Sequence, residues 1–176
     1  MAADTYTIDR THSSVLFVVK HMVISKVKGE FNEFSGTIKH DEGDIANSSV
    51  DVTIKTASVD TKNERRDGHL KSADFFDVEQ HPEITFKSKK IEKTDAGLVA
   101  VGDLTMRGVT KEVRVPYEIT GTITDPRGNR RMGISAKLTL NRQDYGVSWN
   151  QTLDAGGLVV SDDVGIEIEL EAIKAD

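Results

Sequence analysis

The chain lacks cysteine, and it lacks the features that mark several other large functional classes. Without cysteine there is no disulfide bond, no thiolate nucleophile and no zinc or iron–sulfur centre held by sulfur. No stretch approaches the ~18 consecutive apolar residues of a membrane-spanning helix, so we expect no stable insertion into a membrane. Basic residues number 23 against 29 acidic ones, which gives a net charge of −6. Because nucleic-acid-binding proteins usually carry a basic stripe, we expect no nucleic-acid partner.

Motifs of catalysis, phosphate binding and metal binding are missing as well. The chain has no Gly-x-Ser-x-Gly nucleophile elbow and no glycine-rich loop that leads into a helix and could hold a phosphate. Its five histidines show neither the His-x-x-x-His nor the His-Glu-x-x-His spacing that places two metal ligands on one helix face. We therefore predict no metal site, no catalytic residue and no enzymatic activity.

The amino-terminal segment contains two aspartates, Asp4 and Asp9, and no basic stretch followed by an apolar run. A secretory signal peptide requires both of these features. We expect a cytoplasmic protein, or a periplasmic one from which a signal peptide has been removed.

The length of 176 residues suits one domain that buries its own core, and we predict a single domain over residues 1–176. Apolar and polar residues alternate along much of it, which is the period of a β-strand with one buried and one wet face. Parallel strands buried on both faces would give continuous apolar runs instead. We therefore predict an all-β fold, an antiparallel barrel of about eight strands that is wide enough to hold one small ligand. The clearest alternating sets are Val50/Val52/Ile54, Val113/Val115/Tyr117/Ile119, Met132/Ile134/Ala136/Leu138/Leu140 and Ile166/Ile168/Leu170.

Three features interrupt this pattern. The polar run from Asn63 to Lys71 predicts a short helix between strands, capped by Asn63 or Thr61. The segment from Tyr145 to Asp163 is a long connection, either a lid over a binding site or a packed loop. Pro116 lies inside a strand pattern but cannot donate a ladder hydrogen bond, so it predicts an edge or a bulge in that strand.

The alternation also predicts which side chains point into the barrel. Alternation alone does not distinguish a solid core from a hollow one, since small barrels are often filled by side chains. The inward-facing set, and therefore the candidate ligand contacts, comprises Phe17, Val19, Phe34, Ile38, Val52, Ile54, Phe86, Leu104, Met106, Val115, Tyr117, Ile134, Leu138, Ile168 and Leu170.

Several short motifs follow one another along nearly the whole chain. They are Asp9, His12-Ser13-Ser14, Gly29-Glu30-Phe31, the run from Arg66 to Asp77, Pro82 to Phe86, Gly102 to Met106, Gly108-Val109-Thr110, Arg142 to Gly146, and Trp149. In this order the set resembles the YceI-like family of bacterial polyisoprenoid-binding proteins.

The resemblance implies a lipocalin-like antiparallel barrel with an elongated apolar pocket, and it favours the hollow alternative. Family members are taken to carry isoprenoid lipids, including quinone-type and isoprenyl-phosphate species, and some are homodimers. It therefore implies a lipophilic small molecule, an isoprenoid lipid, as the ligand, with no other cofactor. Burial of a prenyl tail contributes about 0.8 kcal/mol per methylene-sized group, so such a carrier needs few polar contacts. The implied role is transport, storage or sequestration.

Polar and aromatic residues supply the remaining candidates. His21 shares the inward face of Phe17 and Val19, so it either contacts a head group or is a core histidine bonded to a backbone carbonyl or to Tyr117. His12, before a strand, is expected to cap or tie a loop. Candidate contacts for an anionic head group, or a solvated basic face, are Arg65, Arg66, Lys71 and Arg107. Candidate gates of the pocket, or plugs of the barrel end, are Phe75, Phe76 and Trp149.

Two other functions stay open on the sequence. One is an enzyme for a lipophilic substrate, with His21 as the acid/base and Tyr117 as its partner. The other is a stress-linked scaffold protein whose barrel holds no ligand. The contents of the barrel distinguish these functions from a lipid carrier.

Overall fold

The computed structural model describes residues 3–22, 24–150 and 159–175. Most of these residues lie in β-strands, which we number β1 to β11 in chain order. The strands are Asp4–Ile8 (β1), Ser14–His21 (β2), Ser25–Phe31 (β3), Phe34–His40 (β4), Ser49–Lys55 (β5), Val59–Asp60 (β6), Glu83–Thr94 (β7), Gly97–Met106 (β8), Val109–Thr124 (β9), Arg130–Asn141 (β10) and Asp163–Lys174 (β11).

One α-helix, Glu64–Lys71 (α1), lies between β6 and β7. Asn63 caps it, because the Asn63 side chain accepts a hydrogen bond of 2.9 Å from the backbone N–H of Arg66. The predicted short helix and its cap are thus confirmed. Short 3₁₀ turns are Arg10–His12, Ile45–Asn47, Thr56–Ser58 and Arg142–Tyr145. Within the described ranges, no helix combines the length and apolar character needed to cross a membrane.

The eleven segments make an antiparallel barrel of eight strands. β1 with β2, β3 with β4, and β5 with β6 each act as one long strand with a break, since both members of each pair continue along the same neighbour. Consecutive strands then pair in order, and β11 closes the barrel against β1 and β2. The predicted all-β barrel of about eight strands is confirmed, although three of its strands are broken.

The break between β1 and β2 is bridged by hydrogen bonds from Asp9 and Ser13, two residues of the motifs seen in the sequence. Opposite the break, the carbonyl of Glu171 accepts from the backbone N–H of Asp9 at 2.8 Å and from the Ser13 hydroxyl at 3.3 Å. The backbone N–H of Glu171 donates to the Ser13 hydroxyl at 3.0 Å. No backbone group of Glu171 is therefore left unpaired, and the closing seam continues across the break.

Pro116 marks a change in the pairing of β9. β9 pairs with β8 from Val109 to Tyr117, but its pairing with β10 begins only at Tyr117 opposite Ala136. Pro116 is thus the first β9 residue without a β10 partner, which fits its missing N–H group. The predicted edge is confirmed. Nearer the β8–β9 turn, β9 and β10 are not hydrogen-bonded to each other.

The two ends of the barrel differ. At the end that holds the chain termini, the interior is filled by packed side chains, including Tyr6 (3% exposed), Ile91 (4%), Met132 (2%) and Ala172 (0%). The connection that contains α1 lies at the opposite end, as do the described residues of the connection after β10, 142–150 and 159–162. That end holds the candidate site described below.

An ion network on the outside of the barrel links three segments at the filled end. The Arg131 guanidinium donates to Asp125 at 2.7 Å, to Asp9 at 3.1 Å and to Glu171 at 3.0 Å. It thereby joins the β9–β10 turn to the closing strand β11 and to the break after β1. Hydrogen bonds from Arg131 and from the backbone of Asn129 and Arg127 lower the pKa of Asp125 from 3.8 to about 2.

The lowered pKa of Asp125 predicts a pH dependence of stability. Because the folded-state value lies below the unfolded one, this carboxylate stabilises the fold above pH 3.8, and the contribution is lost as the pH falls towards about 2. We expect Asp125→Asn to reduce the slope of the unfolding free energy against pH in this window. Urea unfolding at a series of pH values measures the slope.

The control is Asp95→Asn, a change of an exposed aspartate in the β7–β8 turn. This variant should keep the wild-type slope. An unchanged slope in Asp125→Asn would show that the Arg131 network is not a source of acid sensitivity.

Candidate functional site

The barrel is hollow over the part that lies nearer α1. The cavity has a volume of about 730 Å³, within the range of roughly 300–1,000 Å³ that is usual for small-molecule sites. Native interiors rarely leave voids larger than a water molecule, so a space of this size is a specific feature of the fold. The structure thus decides between the two alternatives left open by alternation, in favour of the hollow barrel.

The cavity wall is formed by the inward-facing side chains of nearly every strand. Eighteen of the nineteen candidate ligand contacts line the cavity, although whether they touch a ligand stays a prediction. These are Phe17, Val19, His21, Ile38, Val52, Ile54, Phe75, Phe76, Phe86, Leu104, Met106, Val115, Tyr117, Ile134, Leu138, Trp149, Ile168 and Leu170. Further apolar lining residues on the same strand faces are Val15, Val27, Phe31, Val50, Ile84, Ala100, Val113, Ala136, Leu140, Val164 and Ile166.

Phe34 is the exception, because it lies in the packed core and is not among the residues that line the cavity. It opens β4 directly after the break at Asn32 and Glu33, and its ring is 8% exposed within the packed core. Alternation assigns it the correct side of the sheet. It gives no information on which inward side chains are covered by their neighbours.

A row of aromatic rings leads from the interior to the connection after α1. The rings of Phe17 and Phe31 lie 5.5 Å apart, and Phe31 meets Phe76 edge-on at 5.6 Å. Phe17 can lie over β3 because position 29 is glycine, where any side chain would collide with its ring. Phe76 therefore closes over the interior aromatics and does not point into solvent.

Three more rings form the mouth of the cavity. His69 of α1 meets Phe75 at 5.0 Å and Trp149 at 4.8 Å, and Phe75 and Trp149 lie 5.6 Å apart. The His69 ring also bonds to the Asp74 carboxylate at 2.8 Å, which fixes its orientation. Phe75 is buried, with 6% exposure. We define the mouth cluster as His69, Phe75 and Trp149, which join α1 to the connection after β10.

The four arginine and lysine candidates divide into two groups. Arg65 and Arg66 line the cavity, whereas Lys71 and Arg107 do not. Arg66 donates to the hydroxyl and the carbonyl of Thr61, both at 2.7 Å, so it also holds the start of α1. Arg107 donates to the carbonyl of Phe75 at 2.8 Å and so supports the mouth cluster from outside. Arg65 is exposed and its guanidinium is available at the cavity rim.

Arg142, to which sequence reasoning gave no role, is the most buried cation at the cavity. Its side chain is 4% exposed and donates to four backbone carbonyls: Ser161 at 2.9 Å, Val147 at 2.7 Å, Trp149 at 2.8 Å and Val160 at 3.2 Å. Asp162, its carboxylate neighbour, is 3.9 Å away. Burial lowers the pKa of Arg142. The guanidinium thus joins residues 147–149 to residues 160–161 on the two sides of the connection after β10. The only sequence signal was the Arg142 to Gly146 motif.

Tyr117 places one polar group inside the apolar wall. Its side chain is 9% exposed, it lines the cavity, and its hydroxyl makes no hydrogen bond to any residue in the described ranges. Burial raises the pKa of Tyr117 to about 12, so the hydroxyl is neutral at physiological pH and can donate. His21 lines the cavity as well, but no hydrogen bond joins His21 to Tyr117 within the described chain. The acid/base pair considered on the sequence is therefore not assembled.

His12 ties a loop, as expected. Its Nδ1 lies 2.8 Å from Asp9 and 3.4 Å from Glu171, and the three groups are close enough together to suggest a cation site. Arg131, however, already donates to both carboxylates. Both carboxylates are therefore already engaged within the ion network.

Comparison with protein families and curated proteins gives a consistent result. The profile of the YceI-like domain matches residues 6–172. A UPF0312 protein of Staphylococcus aureus strain N315 is 38% identical over 167 residues, which cover 94% of this chain and 95% of the relative. A UPF0312 protein of strain USA300 is 39% identical over the same length.

Solved structures share the barrel. Burkholderia cenocepacia BcnA superimposes with a TM-score of 0.81 at 26% identity, covering 93% of this chain and 98% of BcnA. The Campylobacter jejuni YceI protein superimposes with a TM-score of 0.76 at 36% identity, and the match covers 89% of this chain and 90% of that protein. A polyisoprenoid-binding domain from Saccharophagus degradans superimposes with a TM-score of 0.69 at 18% identity, and the match covers 97% of this chain and 98% of that domain. The last likeness concerns the fold alone.

The role of Arg142 can be tested by Arg142→Lys. An ammonium cannot reproduce the fork of donors that reaches four carbonyls, so we expect a loss of about 2–4 kcal/mol in unfolding free energy. We also expect faster hydrogen exchange at residues 147–150 and 159–161. Urea unfolding and exchange mass spectrometry measure the two effects.

Arg107→Lys is the matched control, because Arg107 makes one hydrogen bond and a lysine can replace it. Its loss should stay below about 1 kcal/mol. Equal losses in the two variants would contradict the assignment of Arg142 as the anchor of the mouth.

Proposed function

This chain belongs to the YceI-like family, and on that premise we propose that its barrel binds the hydrocarbon chain of an isoprenoid or similar lipid. The observation that carries the proposal is the cavity of about 730 Å³ with its almost wholly apolar wall. An apolar cavity is a poor site for water, which needs polar partners. A hydrocarbon chain fills such a space by the hydrophobic effect alone.

The arrangement of polar groups supports a definite orientation of the lipid. The charged residues that line the cavity lie at its mouth end: Arg65 and Arg66 are in α1, Arg142 follows β10, and Lys20 is near the end of β2. The tail would therefore lie in the barrel, with its head group at the mouth. Arg65 is the arginine proposed to meet an anionic head group, because Arg66 and Arg142 are already bonded to protein acceptors whereas Arg65 donates to none in the described ranges.

Carrying, storing or sequestering a lipid requires no covalent step. The described site offers no nucleophile paired with a base, and the family and fold are of a binding type. We propose a binding protein without enzymatic activity, and with no cofactor beyond its lipid. In the quinone version of this proposal, the lipid is a quinone whose ring carbonyl accepts a hydrogen bond from the Tyr117 hydroxyl.

Ligand content is the direct test. We expect native mass spectrometry of the purified chain to show an added mass, and organic extraction to release a polyprenyl or quinone lipid. Ala136→Phe should abolish this mass and the uptake of added prenyl lipid, because Ala136 lines the cavity and a phenyl ring there fills part of it.

Lys137→Phe is the control, since its side chain is on the outer face and 73% exposed. It should bind lipid as the wild type does. If the folded wild type neither carries nor takes up prenyl lipids, the proposal is wrong.

Tyr117→Phe tests the quinone version. We expect its affinity for a prenylated benzoquinone to fall about three- to tenfold, the value of one hydrogen bond. Its affinity for a prenyl hydrocarbon of equal chain length should be unchanged. Fluorescence-quenching titrations of both ligands measure the difference. An equal change for both ligands would show that the hydroxyl recognises no acceptor and would contradict the quinone version.

A further inference from the structure

The β2–β3 hairpin presents an unusual surface beside the mouth of the cavity. Ile24 at its tip is 89% exposed and Met22 is 43% exposed. The residues directly before the tip, Lys20 and His21, line the cavity. Large apolar side chains on a surface cost solvation unless something covers them, and grouped ones mark interaction sites. This tip stands where a lipid would enter or leave.

Lysines flank the apolar tip. Lys20 and Lys26 lie directly opposite each other in the β2–β3 pairing, and Lys28 follows on the same face of β3. Like charges directly opposite are destabilising in a sheet. All three lysines are exposed, and within the described ranges no carboxylate forms an ion pair with any of them. The three lysines therefore group positive charge at the hairpin of a chain whose net charge is −6.

We propose that this hairpin docks the mouth of the barrel onto an anionic membrane surface. Met22 and Ile24 would enter the interfacial layer, and Lys20, Lys26 and Lys28 would meet the anionic head groups. The purpose of this contact rests on the proposed lipid binding, but the contact itself does not. A bilayer fits both features of the surface, because it offers apolar depth directly beneath a sheet of negative charge.

A second copy of this chain fits the surface less well. A two-fold dimer through the hairpin would bring each lysine set against its own copy, since the same patch is used on both sides. That arrangement sets like charges against each other without a counter-charge. The homodimer is therefore treated as an outcome of the test.

The test is binding of the full chain to vesicles of phosphatidylcholine, with and without phosphatidylglycerol, measured by flotation. We expect binding to the mixed vesicles that weakens as salt is raised. Lys26→Gln/Lys28→Gln should weaken it roughly twenty-five-fold, which is about fivefold for each lysine removed. Met22→Ser/Ile24→Ser should reduce binding to both kinds of vesicle.

Matched controls come from the opposite end of the barrel. Ile123→Ser removes another exposed isoleucine, 63% exposed, and Lys39→Gln/Lys93→Gln removes two exposed lysines there. Both controls should bind as the wild type does. Equal loss in hairpin and control variants, or no binding of the wild type to mixed vesicles, would overturn the proposal. So would a wild-type dimer in size-exclusion chromatography that Met22→Ser/Ile24→Ser converts to a monomer.

Native mass spectrometry of the same variants separates this proposal from the proposed function. The substituted residues Met22, Ile24, Lys26 and Lys28 do not line the cavity. Their variants should therefore still take up prenyl lipid in the absence of vesicles. Vesicle binding without lipid uptake would leave the docking surface intact and refute the lipid carrier. Lipid uptake without vesicle binding would refute docking alone.

Discussion

The closure of eight strands into one barrel is the constraint on which the rest of the structure depends. Once β11 pairs with β1 and β2, the strand number fixes the width of the interior, and half of all strand residues must point into it. A closed barrel of this size can be filled or left hollow by the choice of those side chains. At the end with the chain termini, Tyr6, Ile91 and Met132 fill it. Towards α1, the inward-facing side chains leave a cavity of about 730 Å³.

The closing seam is reinforced where the chain departs from the regular ladder. Asp9 and Ser13 satisfy the backbone of Glu171 across the break between β1 and β2, and Arg131 joins both flanks of the same place. A seam of few residue pairs therefore carries additional side-chain bonds. The filled end has no ligand to pass and can therefore be rigid. The mouth is held differently, by packed rings and by one arginine that donates to four carbonyls.

Much of this could be predicted, because period-two alternation is a property of each strand by itself. Phe17, Ile134 and Ile168 could be placed on the inner face from local sequence alone. Pro116 likewise predicts an interruption of the strand pairing, because it has no N–H group to donate. What could not be predicted depends on contacts between distant segments. Arg142 finds its acceptors up to nineteen residues away, and Phe34 is covered by neighbours from other strands.

The physical problem for a lipid-binding barrel is release. Each methylene-sized group buried in the cavity contributes about 0.8 kcal/mol, so a prenyl tail of ordinary length leaves for water extremely slowly. An acceptor that keeps the tail out of water throughout removes that cost, and a bilayer is such an acceptor. Under the docking proposal, the mouth cluster would open towards the membrane and not towards solvent. The hairpin beside that mouth, with its apolar tip and exposed lysines, would then orient the barrel on the membrane.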